Sequence, residues 1–471
     1  MSKPFRVWDI EQDWLLPRSV HEFVPPGHLA HFVRDTVREA LDLSAILSTY
    51  TEQRGQPPYH PGMLVALLLY GYSRGVYSSR QLARACEERL DVMAVTGLNR
   101  PDFRTISDFR KRHLPALADL FVQVLRLCQK AGLVKLGHVA VDGTKLRANA
   151  SRHKAMSYQR MLTEEPKLAA EVQAWLDQAA AVDTAEDALH GAERRGDETP
   201  AWMADKQRRL ERIRAAKAQL EAEAAGDPAA LDPDGPGPSS GMQERGRRKA
   251  QSKAPDADTA AATNTTTDTP AAIASADAPA ATPPAKAQRN FTDGDSRIMP
   301  SQGGFIAGYN GQIAVDAAHQ VITAHRLSTN PADFGALVPL IEQTIDHLGC
   351  KPREVSGDTG FASEANLVAM QARKINAYLC PGRLRHGDTN PTAGRVLKRT
   401  PLMQAMADKI RRAGRRSRYR LRKQVVEPVF GQQKAARGFR QFLLRGLDKV
   451  RSEWAMICTV HNLHKLHAAA R

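Results

Sequence analysis

GHVAVDGTKLRANAS, Gly137 to Ser151, is where the texture of the chain changes from helical to extended. A short β-branched run around Val139 and Val141 ends at Asp142 and passes straight into Gly143 and Thr144. A second run, REVSGDTGF (Arg353 to Phe361), ends in the same way at Asp358. In open α/β sheets, sites form at the carboxyl ends of strands, so both acids are candidate site residues. Asp-Gly and Gly-Asp are also ordinary turn spellings, and either acid alone reads first as a turn former.

Upstream, residues 1–135 read as helical. Leu29, Phe32, Val33, Val37, Ala40 and Leu41 recur at helical spacing, and Met63 to Tyr70 reads as a buried helix. Ser78-x-x-Gln81 and Thr105-x-x-Asp108 are spelled like capping boxes. Two such helices joined at Asn99–Asp102 would make a helix-turn-helix-like reader presenting Arg110, Lys111 and Arg112; the plain alternative is a solvated basic face on a helical bundle.

Downstream of the first strand, residues 157–225 turn helical again. Met203, Leu210, Ile213, Leu220 and Ala224 form a seam that Lys206 and Lys217 interrupt, the pattern of a helical hairpin or short coiled coil. Residues 226–289 are rich in Ala, Pro, Thr, Asp and Ser, a composition expected to remain a disordered linker. Order is expected again from Asn290, with a hairpin around Ala317 to Gln320, a helix capped by Asp333, and alternating strands and helices thereafter. The fold class is therefore α/β: a mixed sheet with flanking helices, interrupted by a long insertion and preceded by an all-α region. Such an excursion is tolerable because loop-closure entropy grows slowly with length.

The chain has 471 residues, with 67 Lys and Arg against 51 Asp and Glu, a net +16. Residues 391–471 hold 20 of the bases and 4 of the acids, so the whole excess lies there. That balance excludes a uniformly sticky basic protein and points to an anionic partner met by one segment. Glu427 stands nearly alone among bases, in RRSRYRLRKQVVEPVFGQQKAARGF. An ion pair with Lys423 would account for an exposed helix acid, but not for the aromatic and basic residues around it. A carboxylate that holds a divalent cation beside a polyanion needs such bases near it. Cys86, Cys128, Cys350, Cys380 and Cys458 lack metal-ligand spacing and suggest a reducing compartment. MSKPFRVWDIEQDW lacks an apolar leader core, and the longest apolar run is far short of a membrane span, so a soluble cytoplasmic chain without a membrane partner is expected.

These segments together resemble bacterial insertion-sequence transposases of the DDE type, in the subgroup with a helical N-terminal domain and a long insertion after the first catalytic aspartate. The resemblance rests on VDGTKLRANAS, on DGDSRIM and GGFIAGYNGQIAVDAAHQVI, on GDTGF, and on YRLRKQVVEPVFGQQK. It implies a helical DNA-binding domain over 1–135 and a ribonuclease-H-like catalytic domain over 136–156 and 290–471, split by a helical insertion (157–225) and the linker (226–289). It further implies that Asp142, Asp358 and Glu427 form a metal-binding triad. Related transposases carry Y-x2-R-x3-E-x6-K around the glutamate. Here Tyr419, Arg422, Glu427 and Lys434 match, except that four residues separate Arg422 from Glu427. A continuous helix would put Lys423 and Lys434 on the face of Glu427, leaving Arg422 and Lys423 as alternative basic partners.

Moving a phosphodiester develops charge on attacking and leaving oxygens, and two Mg²⁺ ions, which Mn²⁺ can replace, would be held by three carboxylates to stabilise it. Asp316 reads as a turn former, Asp293 and Asp295 as polar re-entry from the linker, and His461, His464 and His467 as a solvated helix face rather than a metal site. Asn310 and Gln312 fit either DNA contact or strand bridging. The expected function is DNA transposition by cleavage and strand transfer at the element's inverted repeats, with target DNA as second partner and two or more copies assembled on DNA. The competing reading is a non-catalytic derivative acting as a DNA-binding repressor.

Overall fold

Met63 to Tyr70 has no polar face, and a helix of that composition is stable only when surrounded. In the computed structural model, which describes residues 19–51, 57–190, 201–225, 282–301, 304–382 and 400–471, it lies within a helix whose residues Leu64 to Ser73 are all buried. Around it the described residues of the N-terminal region form α1 (Leu29–Glu39), α2 (Ser44–Leu47), α3 (Pro61–Ser73), α4 (Ser79–Glu88), α5 (Leu90–Thr96), α6 (Phe103–Arg112) and α7 (Leu114–Lys130). The spelling at Thr105 misplaces the start of α6. Asp102 caps it instead, accepting from the N–H groups of Arg104 and Thr105 at 2.7 and 2.8 Å. The basic run after it does not continue into one long helix: His113 leaves the helical region and α7 begins afresh with Pro115 in its first turn, where a missing N–H costs nothing.

The extended segments are β1 (His138–Arg147), β2 (Ala155–Ser157), β3 (Gln288–Asn290), β4 (Arg297–Ser301), β5 (Gly304–Asp316), β6 (Ile322–Ser328), β7 (Glu354–Gly357) and β8 (Asn376–Leu379). The main sheet runs β4-β5-β1-β7-β8, with β6 also on β5. β5 is antiparallel to both β1 and β6, and β7 and β8 continue beyond β1 in parallel. β5 accepts two neighbours along one edge because it is long: β4 pairs Gly304 to Gly308, and β6 pairs Asn310 to Val315. The expected hairpin is the β5–β6 turn, and Asp316 makes it. Buried at 0% exposure, its carboxylate accepts from the N–H groups of Lys135, Leu136 and Ala318.

Two further helices flank the sheet between its last strands, α10 (Leu337–Leu348) and α11 (Glu364–Ala372). The chain closes with α12 (Pro401–Ala413), α13 (Leu421–Gly431) and α14 (Leu447–Ala469). α14 joins the two halves of this unit, packing on α7, α3 and β6. Its Asn462 treats the edge of β6 as a partner strand would, accepting from Ile322 N–H at 2.9 Å and donating to Ile322 C=O at 2.8 Å. The helical region, the sheet and α14 form one compact unit, Met1–Ser157 with Gln288–Arg471.

Tyr158–Ala287 forms the other unit. In it α8 (Tyr158–His190) lies against α9 (Ala201–Ala225), with Met203, Leu210, Ile213 and Leu220 buried as the seam requires. Lys206 and Lys217 reach out of that seam to Glu171 and Glu165, both at 2.8 Å, so neither charge is stranded. Of the expected linker, residues 226–281 lie outside the described residues. Order is already present at Gln288, in β3, two residues before the expected re-entry, because β3 pairs with β2.

Candidate active site

The parallel register of β1 and β7 pairs Val141 with Gly357, so the next residues, Asp142 and Asp358, come abreast where β7 ends, while β1 runs on through Asp142 to Arg147 rather than ending there as the sequence suggests. Each carboxylate is held by its own turn. Asp142 accepts from Gly143 N–H at 2.8 Å, and Asp358 accepts from Gly360 N–H at 2.8 Å. Burial and the neighbouring Asp358 push the Asp142 carboxyl up to about 7. Burial, and then the charge of Asp333, raise Asp358. Two acids driven toward the neutral form by burial and by neighbouring carboxylates are suited to an added cation.

Asp333 was expected as a helix cap. It is not one, for α10 begins after Ala336 without a side-chain cap, and the Asp333 side chain points to the site instead. Its Oδ1 accepts from Asn310 Nδ2 at 2.6 Å and Gln312 Nε2 at 2.7 Å, and its Oδ2 lies 3.7 Å from Lys145 Nζ. Asn310 and Gln312 thus bridge from β5 to the loop before α10. No local signal reveals Asp333 as a site residue, because only the β1–β5 register, which sets Gly143 against Gln312 and Lys145 against Asn310, brings its partners together.

The opposite side of β1 faces α13 and the π-helical turn after it, Gln432–Ala436. Lys434 on that turn donates to Thr144 Oγ1 and, at 3.2 Å, to the Lys145 carbonyl. Burial and Arg440 lower its pKa, while Asp142 acts in the other direction. Segment pairing fixes the turn: Phe442 N–H donates to the Arg147 carbonyl at 2.9 Å, alongside the end of β1. Of the two candidate basic partners, Arg422 is the one whose charge acts on both Asp142 and Asp358, and its guanidinium lies 5.0 Å over the buried ring of Tyr419. Lys423 is exposed. Glu427 is exposed on α13, followed by Pro428 within the helix. That proline cannot donate to the Gln424 carbonyl, and Gln320 Nε2 does so in its place at 3.2 Å. The helix therefore continues through Pro428.

Three expectations are corrected. Arg110 is 7% exposed and donates to Tyr72 Oη at 3.1 Å and to the Tyr77 carbonyl at 3.0 Å, so it is an internal strut rather than part of a basic face. The helical wheel explains this, since Arg110 follows Ile106 by four residues on the buried side of α6. Lys111 is exposed and paired with Asp108 at 3.3 Å, and Arg112 is exposed. His461, His464 and His467 are not a solvated face: each donates to a backbone carbonyl, of Gln320, Ser73 and Gly27 respectively. Burial pushes His461 down to about 3 and His464 to about 4, so both are neutral struts. Asp293 and Asp295 do more than mark re-entry, for they accept from Gly446 and Leu447 N–H at 3.2 and 2.8 Å and hold the start of α14.

The donor set of the Asp142–Asp358 pair is all oxygen, as hard divalent cations prefer, and the buried Asn310 Oδ1 and Gln312 Oε1 lack hydrogen-bond partners. The pair therefore fits a divalent cation. Among the described residues no three His, Cys, Asp or Glu side chains are grouped closely enough to hold one ion, so Glu427 is not drawn into one cluster with the pair. No helix among the described residues is long and apolar enough to cross a membrane.

Comparison with known families gives two matches. Residues 18–112 match a transposase domain (DUF772), and residues 385–467 match a transposase DDE domain. No curated protein and no solved structure matches the chain. The two family matches support an insertion-sequence DDE transposase.

Proposed function

We propose that this transposase cuts DNA at the ends of its element and joins them to target DNA, using Asp142, Asp358 and Glu427 as the acids of the reaction. The observation that carries the reading is the abreast placement of Asp142 and Asp358, with Arg422 acting on both and Lys434 braced on Thr144 between sheet and α13. Three antiparallel strands continued by two parallel ones support a ribonuclease-H-like sheet.

In this reading water attacks the phosphorus at the element's end. The P–O3′ bond breaks, and the departing oxygen takes a proton to become the 3′-OH. That hydroxyl then attacks a target phosphorus and expels a target 3′ oxygen, so no covalent enzyme intermediate is needed. Divalent cations, Mg²⁺ or Mn²⁺, supply Lewis-acid stabilisation of the attacking and leaving oxygens. Asp142 and Asp358 would hold them, with Glu427 on α13 as the third acid, and Arg422, Lys423, Lys434 and the ring of Tyr419 would orient the flanking phosphates. Lys111 and Arg112 extend the phosphate grip over the N-terminal helices, and two or more copies bring the element ends together on DNA.

Nicking of duplex DNA carrying the element end, with and without Mg²⁺, tests this directly. Wild type should nick only with the cation, while Asp142→Asn and Glu427→Gln should bind the DNA and leave it intact. Binding without nicking by wild type would instead support a repressor.

A further inference from the structure

Asp333 belongs to neither turn of the aspartate pair, yet it touches the surroundings of both. An atom added at Gly143, the residue after Asp142, would lie 2.5 Å from Asp333 Oδ1. One added at Gly360, in the Asp358 turn, would lie 3.4 Å from Asp333 Cβ. Gly143 thus leaves space for the Asp333 carboxylate, and the Asp358 turn lies in ordinary contact with the same side chain at Gly360. Asp333 is itself rigidly held. Asn310 and Gln312, exposed by 0% and 1%, donate to one of its oxygens, and Ala336 N–H donates to its carbonyl at 3.1 Å. The side-chain oxygens of those two amides are buried and without a partner, so two acceptors and a carboxylate stand together with Lys145 as the cation paired to them. Lys145 Nζ is tied down as well, donating to the Pro331 carbonyl at 2.6 Å.

We infer that Asp333 is a positioning residue that sets the cation affinity of the Asp142–Asp358 pair, with Lys145 as its counterweight. This rests on the proposed function, which assigns the pair to divalent cations. Asp333 adds negative charge beside both acids without joining them as a ligand, and it keeps Lys145 directed at itself rather than at the pair. Charge removed at Asp333 therefore weakens cation binding, and charge removed at Lys145 strengthens it. A residue that served only to pack the loop would not produce opposite signs at the two ends of one ion pair.

The test is Mn²⁺ titration of the full chain, followed by the paramagnetic resonance signal of the free ion, with thermal unfolding recorded for every variant. Asp333→Asn, which keeps the shape and an acceptor oxygen, is expected to weaken binding by about tenfold to a hundredfold, the usual effect of an outer partner. Lys145→Gln is expected to tighten it several-fold, and Asp142→Asn to abolish it. Unchanged affinity in Asp333→Asn, or weakening in Lys145→Gln, would overturn the inference while leaving the aspartate pair as the cation site. Complete loss in a folded Asp333→Asn would overturn it in favour of direct ligation. If wild type bound no Mn²⁺, the assignment of the pair would fall, and this inference with it.

Discussion

Arg110 and Arg112 are two residues apart in one basic run and do opposite work. The Arg110 guanidinium is surrounded by the Tyr72 hydroxyl, the Tyr77 carbonyl and Ser79 Oγ, and its charge acts on the buried Glu453 of α14. Truncating it strands those groups, so Arg110→Ala is expected to cost about 3 kcal/mol or more in denaturant unfolding. Arg112→Ala is expected to change stability by less than about 0.5 kcal/mol. It should instead weaken binding to element-end DNA and reduce the salt slope by about one. Equal stability of the two variants would refute the assignment of Arg110 as a strut. The difference was legible in the helical period, which places Arg110 with Ile106 and Phe109, but charge runs invite reading by composition. Asp142 and Asp358 were legible because an acid that follows a β-branched run and precedes a small residue is a local pattern, although β1 runs on past Asp142 to Arg147. Asp333 was not, since its role depends on amides from a strand some twenty residues earlier and on a lysine from β1.

At the scale of elements, α14 shows why a helix near the end of the chain carries buried polar groups. Glu453 lies at 0% exposure and accepts from Leu443 and Leu444 N–H at 3.0 to 3.1 Å, closing the turn that leads into the helix. Burial pushes its carboxyl up to about 7. Between the ordinary carboxylate range and that value the folded chain keeps a proton that the unfolded chain has lost, so the folded state binds more protons and stability falls as pH rises. Asp142, also pushed up to about 7, adds to the same slope. The urea midpoint is therefore expected to decline from roughly pH 5 to roughly pH 8, and Glu453→Gln to flatten that decline. A slope in Glu453→Gln as steep as in wild type would show that Glu453 does not titrate in this window. Periodicity alone reveals α3 and the β5–β6 hairpin, whereas the buried histidines of α14 are read wrongly from sequence because their acceptors are backbone carbonyls of other elements.

At the scale of the whole molecule, the insertion leaves and re-enters through a single narrow gate. β2 and β3 are antiparallel, and Ser157 pairs with Gln288 across the gate, so the two ends of the 158–287 unit lie one strand spacing apart. Among the described residues, the core of the other unit, from α3 and α7 through the sheet to α14, draws none from Tyr158–Ala287. Antiparallel strands can be joined by a two-residue hairpin, and loop closure grows cheaper as the loop shortens. Replacing residues 158–287 by Asn-Gly should therefore leave a chain that folds cooperatively, with an unfolding temperature no lower than wild type and Mn²⁺ affinity at the aspartate pair unchanged. Circular dichroism melting and the same titration check both. A shortened chain that failed to fold, or that folded without binding Mn²⁺, would show that the insertion contributes to the site and is not an independent unit. If binding survives while joining of two DNA ends is lost, the insertion serves the assembly on DNA.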